Sequence, residues 1–90
     1  MEATIQSAGM EIVGGGREKV WLPCFAFSYV VDGEYYSGRF SLWGCDDRSA
    51  TLIRELVDKK LKVHYDPKKP SDFLIAEDTI EGCIVNRIPD

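Results

Sequence analysis

The sequence has little of what marks exported, membrane-spanning or metal-binding proteins. It contains three cysteines and one histidine in 90 residues. Its longest mostly apolar run, residues 20–31, holds a proline and is shorter than the roughly 20 residues that a membrane helix needs. The amino terminus lacks the basic start and the apolar core of a signal peptide. These absences predict a soluble protein that has no membrane span and is located in the cytoplasm.

The cysteines have neither the number nor the spacing of a disulfide framework. A reducing compartment would keep Cys24, Cys45 and Cys83 as thiols. Cys45 precedes a predicted helix, whose amino end lowers the pKa of a thiol, but the carboxylates of Asp46 and Asp47 act in the opposite direction. The sequence therefore predicts an unreactive thiol at Cys45 and small packing residues at Cys24 and Cys83.

Residues suited to metal binding or catalysis are scarce as well. The only histidine, His64, alternates with Lys62 and Asp66 on a predicted outward face. A metal site needs several converging His or Cys ligands, and no spacing in the sequence supports one. No set of a nucleophile, a base and an orienting group is visible. The sequence therefore indicates no metal, no cofactor and no enzyme activity.

Positive charge is also in deficit, with a formal net charge of −4. Proteins that bind nucleic acid usually carry a basic field, so nucleic acid is not expected as the main partner. A lysine cluster in the second half is the local exception, and it could bind phosphate, nucleic acid or an anionic lipid headgroup. Solvated lysines are the commoner outcome, and three aspartates interrupt the cluster. Its members are Lys59, Lys60, Lys62, Lys68 and Lys69.

What the chain does have is a strong hairpin signal in residues 27–40. Asp32-Gly33 lies between two β-rich runs, and a type I′ turn favours such a pair because both positions need positive φ. A turn of two residues fixes the register, so Tyr29 should face Tyr36 and Phe27 should face Gly38. The same register puts Phe25, Phe27, Tyr29, Tyr36 and Phe40 on one face, where they would form one side of a core.

The remaining pattern predicts a single mainly β domain over residues 1–90. Strands are expected at residues 3–13, 61–66, 72–76 and 82–88, with a glycine loop at residues 14–16. A helix is expected at about residues 49–59, capped by Asp46, Asp47 and Ser49. The fold class is therefore α+β: a strongly bent antiparallel sheet or small open barrel of about five or six strands. Its helix lies between the third and fourth strands, as in OB-like barrels.

The motifs of this chain resemble a known family. The sequence has Tyr29-Val30-Val31-Asp32-Gly33, then Tyr36-Ser37-Gly38, and later the run from Val63 to Pro70, VHYDPKKP. Over roughly residues 3–75 this resembles the family catalogued as domain of unknown function 3592. Members often sit between membrane-spanning helices and many have a glycine just after the helix, whereas this chain has neither feature. The resemblance implies a small β-rich domain and no particular activity.

For function, the composition favours a non-catalytic binding or assembly domain. The predicted contact residues are Trp43, Tyr35 and Leu22, with Trp21 as a further aromatic candidate, because large rings at a sheet edge are often hot spots of interfaces. In a domain this small, packing in the core is the alternative role for these rings. Trp43 is expected opposite Trp21 or Leu22, and the long hairpin is expected to offer an edge strand to a protein partner or a second copy. The alternative is an anion or nucleic-acid binder that uses Lys68 and Lys69.

Overall fold

The computed structural model describes residues 1–13, 17 and 19–88 of the chain. One antiparallel sheet runs through these residues in the order β5-β4-β1-β2-β3-β7-β6. It has seven strands instead of five or six, because a two-residue strand precedes the last one. The predicted glycine loop, residues 14–16, lies outside the described residues. The strands are β1 (Glu2–Val13), β2 (Val20–Val31), β3 (Glu34–Trp43), β4 (Lys60–Asp66), β5 (Lys69–Ile75), β6 (Thr79–Ile80) and β7 (Cys83–Ile88).

The predicted hairpin is confirmed in its turn and in its register. Asp32 and Gly33 have φ values of 50° and 82°, in the left-handed region that a type I′ turn requires. Tyr29 pairs with Tyr36, and Phe27 pairs with Gly38. A Cβ atom added to Gly38 would lie 2.7 Å from Cζ of Phe27 and 2.6 Å from Cε1 of Phe73. Glycine is therefore required at position 38 because two buried rings occupy that space.

The sheet curls strongly enough to bring its two ends together over the core. Phe73 on β5 contacts Phe27 edge-on, with ring centroids 5.1 Å apart, although two other strands separate β5 from β2. Arg87 on β7 places its guanidinium 4.3 Å from the centroid of the Phe73 ring and its Nη1 atom 3.7 Å from a carboxylate oxygen of Asp72. The fold is thus a half-barrel in which β5 and β7 meet through side chains.

The helix lies where the sequence places it, between the third and fourth strands, but it is shorter. A 3₁₀ turn at Asp46–Arg48 leads into α1 (Ser49–Glu55), which ends before residue 59. Asp58 adopts a φ of 72° and donates its backbone N–H to Ile5 O at 2.8 Å, so the chain has already turned toward β4. The expected side-chain caps are absent, and the Ser49 hydroxyl instead donates to the Asp46 carbonyl at 3.1 Å.

The expectation of three thiols is wrong for two of the cysteines. Cys45 and Cys83 form a disulfide, with their Cα atoms 5.3 Å apart and a sequence separation of 38. The reason is the β3–β7 ladder, which pairs Trp43 with Ile84 and so places the end of β3 beside the start of β7. Cys24 is buried and stays a thiol.

The predicted position of the long hairpin at a sheet edge is also wrong. β1 pairs with β2 from Thr4↔Ser28 to Val13↔Val20, and β7 pairs with β3 from Arg39↔Ile88 to Trp43↔Ile84. Strands β2 and β3 therefore lie in the middle of the sheet. The β3–β7 ladder joins segments that are distant in sequence, and the β1–β2 ladder lies on the opposite side of β2 from β3. The turn signal at residues 32 and 33 could therefore reveal neither.

Candidate functional site

Three exposed apolar residues lie together near the end of β1 and the start of β2. Ile12 and Trp21 pair directly across the two strands, and Met10 pairs with Pro23. Trp21 is 61% exposed and Ile12 is 51% exposed, whereas Pro23 is buried. We name Met10, Ile12 and Trp21 the hairpin-end patch. The patch lies on the same face of β1 and β2 as the core residues, but no other described element covers it there.

A β-bulge puts these residues on the core face. The register between β1 and β2 shifts between Ile5 and Ser7, so one extra residue is inserted. Ala3 and Ile5 point into the core before the shift, and even-numbered residues do so after it. The sequence carried a signal for this change, since the apolar positions Ala8, Met10 and Ile12 alternate in the opposite phase to Ala3 and Ile5.

On the opposite, convex face, the predicted contact residues are only partly accessible. Leu22 is 7% exposed, so its side chain offers little contact surface. Trp43 is half-buried, and its indole N–H donates to the Ser41 hydroxyl at 3.2 Å. The ladder partner of Trp43 is Ile84 on β7, and that of Trp21 is Ile12 on β1. Trp43 and Ile84 thus form a smaller apolar pair on this face.

An ion pair beside Trp43 and Leu22 makes this face partly polar. Arg39 forms a hydrogen-bonded ion pair with Glu11, reaching across β2 from β3 to β1. The hydrogen bond from Arg39 lowers the pKa of the Glu11 carboxyl. Burial raises the pKa of the nearby Cys24 thiol, and the negative charge of Glu11 acts in the same direction. Cys24 is therefore held as a neutral packing group.

Tyr35 lies far from Trp43. Its side chain is 80% exposed and pairs with Val30 beside the Asp32-Gly33 turn. The two aromatic residues are eight positions apart on β3, or about 27 Å at 3.4 Å per residue. The three predicted contact residues therefore do not form one surface.

The lysine cluster is also divided. Lys68 and Lys69 lie at the β4–β5 turn, where the backbone N–H of Lys68 donates to Asp66 Oδ1 at 2.9 Å. Lys60 and Lys62 lie in the first half of β4, away from that turn. They line a shallow cavity of about 260 Å³. Two carboxylates line the same cavity and offset its positive charge. Anion binding by these lysines stays a prediction. The lining residues are Glu2, Lys60, Leu61, Lys62 and Glu77.

The residues that carry the family resemblance meet at the turn end of the half-barrel. The ring of Tyr29 stacks with Tyr36 at 5.7 Å and with Tyr65 at 6.5 Å between centroids. The Tyr29 hydroxyl donates to the Pro70 carbonyl at 2.6 Å. This cluster joins the β2–β3 hairpin to the β4–β5 hairpin across the concave face. The motif residues therefore act as structural residues that close the half-barrel.

The Tyr29 hydroxyl provides a test of this role. We expect Tyr29→Phe to lower the free energy of unfolding by about 1–2 kcal/mol, because the Pro70 carbonyl loses its donor. Burial raises the pKa of Tyr29, so the unfolded chain loses this proton first as pH rises. Wild-type stability should therefore fall as pH rises above the ordinary tyrosine pKa of about 10, and Tyr29→Phe should reduce that fall. Urea titrations from pH 7 to 11 measure both effects.

The exposed Tyr35 supplies the matched control for this variant. Tyr35→Phe removes the same hydroxyl from a side chain that makes no hydrogen bond to the described residues, so its denaturation midpoint should match that of the wild type at each pH. Equal midpoints for wild type and Tyr29→Phe across the whole range would contradict the bridging role of Tyr29.

The described residues contain no group of three or more His, Cys, Asp or Glu side chains placed to hold a metal ion. His64 is exposed on β4 and pairs with Leu74. Within the same part of the chain, no helix combines the length and the apolar character that crossing a membrane requires.

Comparison with known proteins gives one match. The family model described as Domain of unknown function (DUF3592) matches residues 1–79. This range agrees with the resemblance seen over roughly residues 3–75. No curated protein and no solved structure matches the chain.

Proposed function

The chain belongs to the DUF3592 family, whose description names no activity. From the surface of this chain we propose that it is a non-catalytic binding or assembly domain. It acts through protein–protein contact at the hairpin-end patch. The observation that carries the proposal is the exposed cross-strand pair Ile12–Trp21, which stands on the core face of the sheet with no described element packed over it.

The composition of the patch suits a contact surface. Tryptophan is the residue type most enriched among interface hot spots, and methionine adapts to varied apolar partners. Scattered apolar residues are normal on a protein surface, but adjacent ones on neighbouring strands form a continuous area. The opposed pair Ile12–Trp21, with Met10 two residues along the same strand face, meets that condition. Trp43 and Ile84 would contribute the second, smaller area on the convex face.

The proposal is tested by position-specific photo-crosslinking in the native host. A benzophenone amino acid replaces Trp21, and the expected result is a discrete adduct with one protein, because the patch would be buried in the complex. The matched control places the same group at Leu74, which is 67% exposed on β5 and pairs with the polar residue His64. Position 74 should give no discrete adduct. A third position, Tyr35, tests the turn end in the same way.

The absence of an adduct at Trp21, or an equal adduct at Leu74, would refute contact through this patch. An adduct at Tyr35 alone would move the contact surface to the end of the sheet that carries the Asp32-Gly33 turn. Neither result depends on an identified partner, because each compares the same chain with a probe at a different site.

The cytoplasmic location stays a prediction and is part of this proposal. The Cys45–Cys83 pair provides its test, since a reducing compartment would hold the pair as two thiols. Alkylation of freshly lysed cells, followed by measurement of the chain mass, distinguishes thiols from a disulfide.

A further inference from the structure

We propose that the partner at the hairpin-end patch is a second copy of this chain. Residues 7–13 of β1 would pair antiparallel with the same residues of the second copy, about a two-fold axis at Met10. This inference rests on the proposed function and names the partner of the same surface. Two half-barrels would thereby share one continuous sheet.

The first argument is that this part of β1 has an unpaired edge. Before the bulge, Ile5 directs its backbone away from β2, accepting from Asp58 N–H at 2.8 Å and donating to Lys59 O at 3.0 Å. The β1–β4 ladder covers only Glu2 to Thr4. Past Ile5, no strand among the described residues lies beside this edge, although the ladder to β2 continues to Val13.

The bulge decides which backbone groups point outward. Antiparallel ladders alternate between residues that bond to one neighbour and residues that bond to the other. The inserted residue exchanges the two sets, so after the bulge the even-numbered residues direct N–H and C=O to the open edge. These residues are Ala8, Met10 and Ile12, the same ones whose side chains lie on the core face.

The second argument is that residues 7–13 are complementary to themselves. With Met10 opposite Met10 of the second copy, two flexible apolar side chains meet at the axis. On either side of them Ile12 faces the small side chain of Ala8. On the other face, Glu11 faces Gly9, so the one charged residue in the segment meets no like charge. The outward N–H and C=O groups of both copies would then satisfy one another.

The third argument is that residues 7–13, which follow the bulge, carry no side chain that blocks pairing. Natural edge strands are commonly blocked by lysine, proline or inward-pointing charge. Residues 7–13 contain neither lysine nor proline, and the carboxylate of Glu11 is turned to the convex face by its ion pair with Arg39. Such an edge favours strand addition, in which backbone hydrogen bonds join the two copies and the adjacent apolar side chains add contact area.

Gly9 offers a test of the register, because a Cβ atom added there would meet no atom within 4 Å and the residue has no positive φ. Gly9→Lys would place a lysine opposite Glu11 of the second copy, twice in each dimer. Gly9→Glu would place like charges there instead. Analytical ultracentrifugation of the purified chain at low salt should show a wild-type dimer whose Kd falls at least about threefold in Gly9→Lys and rises at least about threefold in Gly9→Glu.

A third variant tests the backbone contact. Met10→Pro removes an outward N–H but no bond of the β1–β2 ladder, so the dimer should be lost while the circular dichroism spectrum is kept. A monomeric wild type at all concentrations, or a Kd that moves in the same direction in both Gly9 variants, would overturn the proposal. The Gly9 pair decides the question even if Met10→Pro does not fold.

The two proposals fail in different ways. A monomeric wild type that still forms a discrete adduct at Trp21 with another protein would refute self-pairing and keep the contact surface. A chain that gives no adduct at Trp21 and stays monomeric would refute both.

Discussion

Replacing Phe73 with alanine is expected to lower the free energy of unfolding by about 3–5 kcal/mol, the range for deleting a buried aromatic ring. Phe73 is buried and packs edge-on against Phe27 and Tyr29. Together with Asp72 it also joins β5 to Arg87 on β7. The variant therefore loses core packing and the contact that closes the half-barrel. Urea denaturation followed by tryptophan fluorescence measures the change.

The neighbouring residue supplies the control. Leu74 points outward, so Leu74→Ala should change the free energy of unfolding by no more than about 0.5 kcal/mol. Equal effects at positions 73 and 74 would show that β5 does not pack as described.

Because the Phe73 ring lies against Gly38, a second substitution at Gly38 tests the same contact. Gly38→Ala alone should cost about 1–3 kcal/mol, since the added methyl group collides with Phe73 and Phe27. In the Phe73→Ala background this cost should fall, because the cavity accepts the methyl group. A double-mutant cycle with additive effects would contradict that contact.

Removing the disulfide is the second change with a large expected effect. Cys45→Ala with Cys83→Ala should lower the free energy of unfolding by about 4 kcal/mol under oxidising conditions, the chain-entropy value for a link across 38 residues. The link ties the end of β3 to the start of β7. Urea denaturation of the oxidised wild type and of the double variant measures the difference.

Reductant and the third cysteine provide the controls. With excess reductant the wild type should approach the double variant, because both then lack the link. Cys24→Ala alters a buried thiol outside the disulfide, so its midpoint should shift with reductant as much as that of the wild type. A wild-type midpoint that does not respond to reductant would contradict a stabilising link between Cys45 and Cys83.

The disulfide also bears on the predicted cytoplasmic location, because a reducing compartment would keep Cys45 and Cys83 as thiols. A cytoplasmic chain kept reduced would hold the β3–β7 junction by packing alone, around Cys45 and Cys83, which are both almost fully buried. Arg48 would still reach the junction, since its guanidinium donates to the Glu81 carbonyl at 2.7 Å and lies 3.5 Å from the Cys83 sulfur. The reduced and oxidised proteins should therefore share one fold and differ in stability.

The sequence by itself determined the features that depend on neighbouring residues. Asp32 and Gly33 supply the two positive φ angles of a tight turn, and a turn of two residues leaves only one register for the strands beside it. That register also determines which aromatic side chains point into the core, and it places Gly38 opposite the Phe27 ring. The position of the helix followed from apolar spacing, and its early end did not, because the contact of Asp58 with Ile5 is tertiary.

Only the tertiary structure decided which edges remain open and which distant residues meet. The β1–β2 and β3–β7 ladders moved the predicted edge strands to the middle of the sheet, and the second of these brought Cys45 to Cys83. The exposed pair Ile12–Trp21 arises because the first hairpin extends past the elements that cover the core. For the β3–β7 ladder and the disulfide, the physical reason is that they join segments far apart in sequence and give a free-energy gain only after those segments have met. No local pattern in the chain encodes such a meeting.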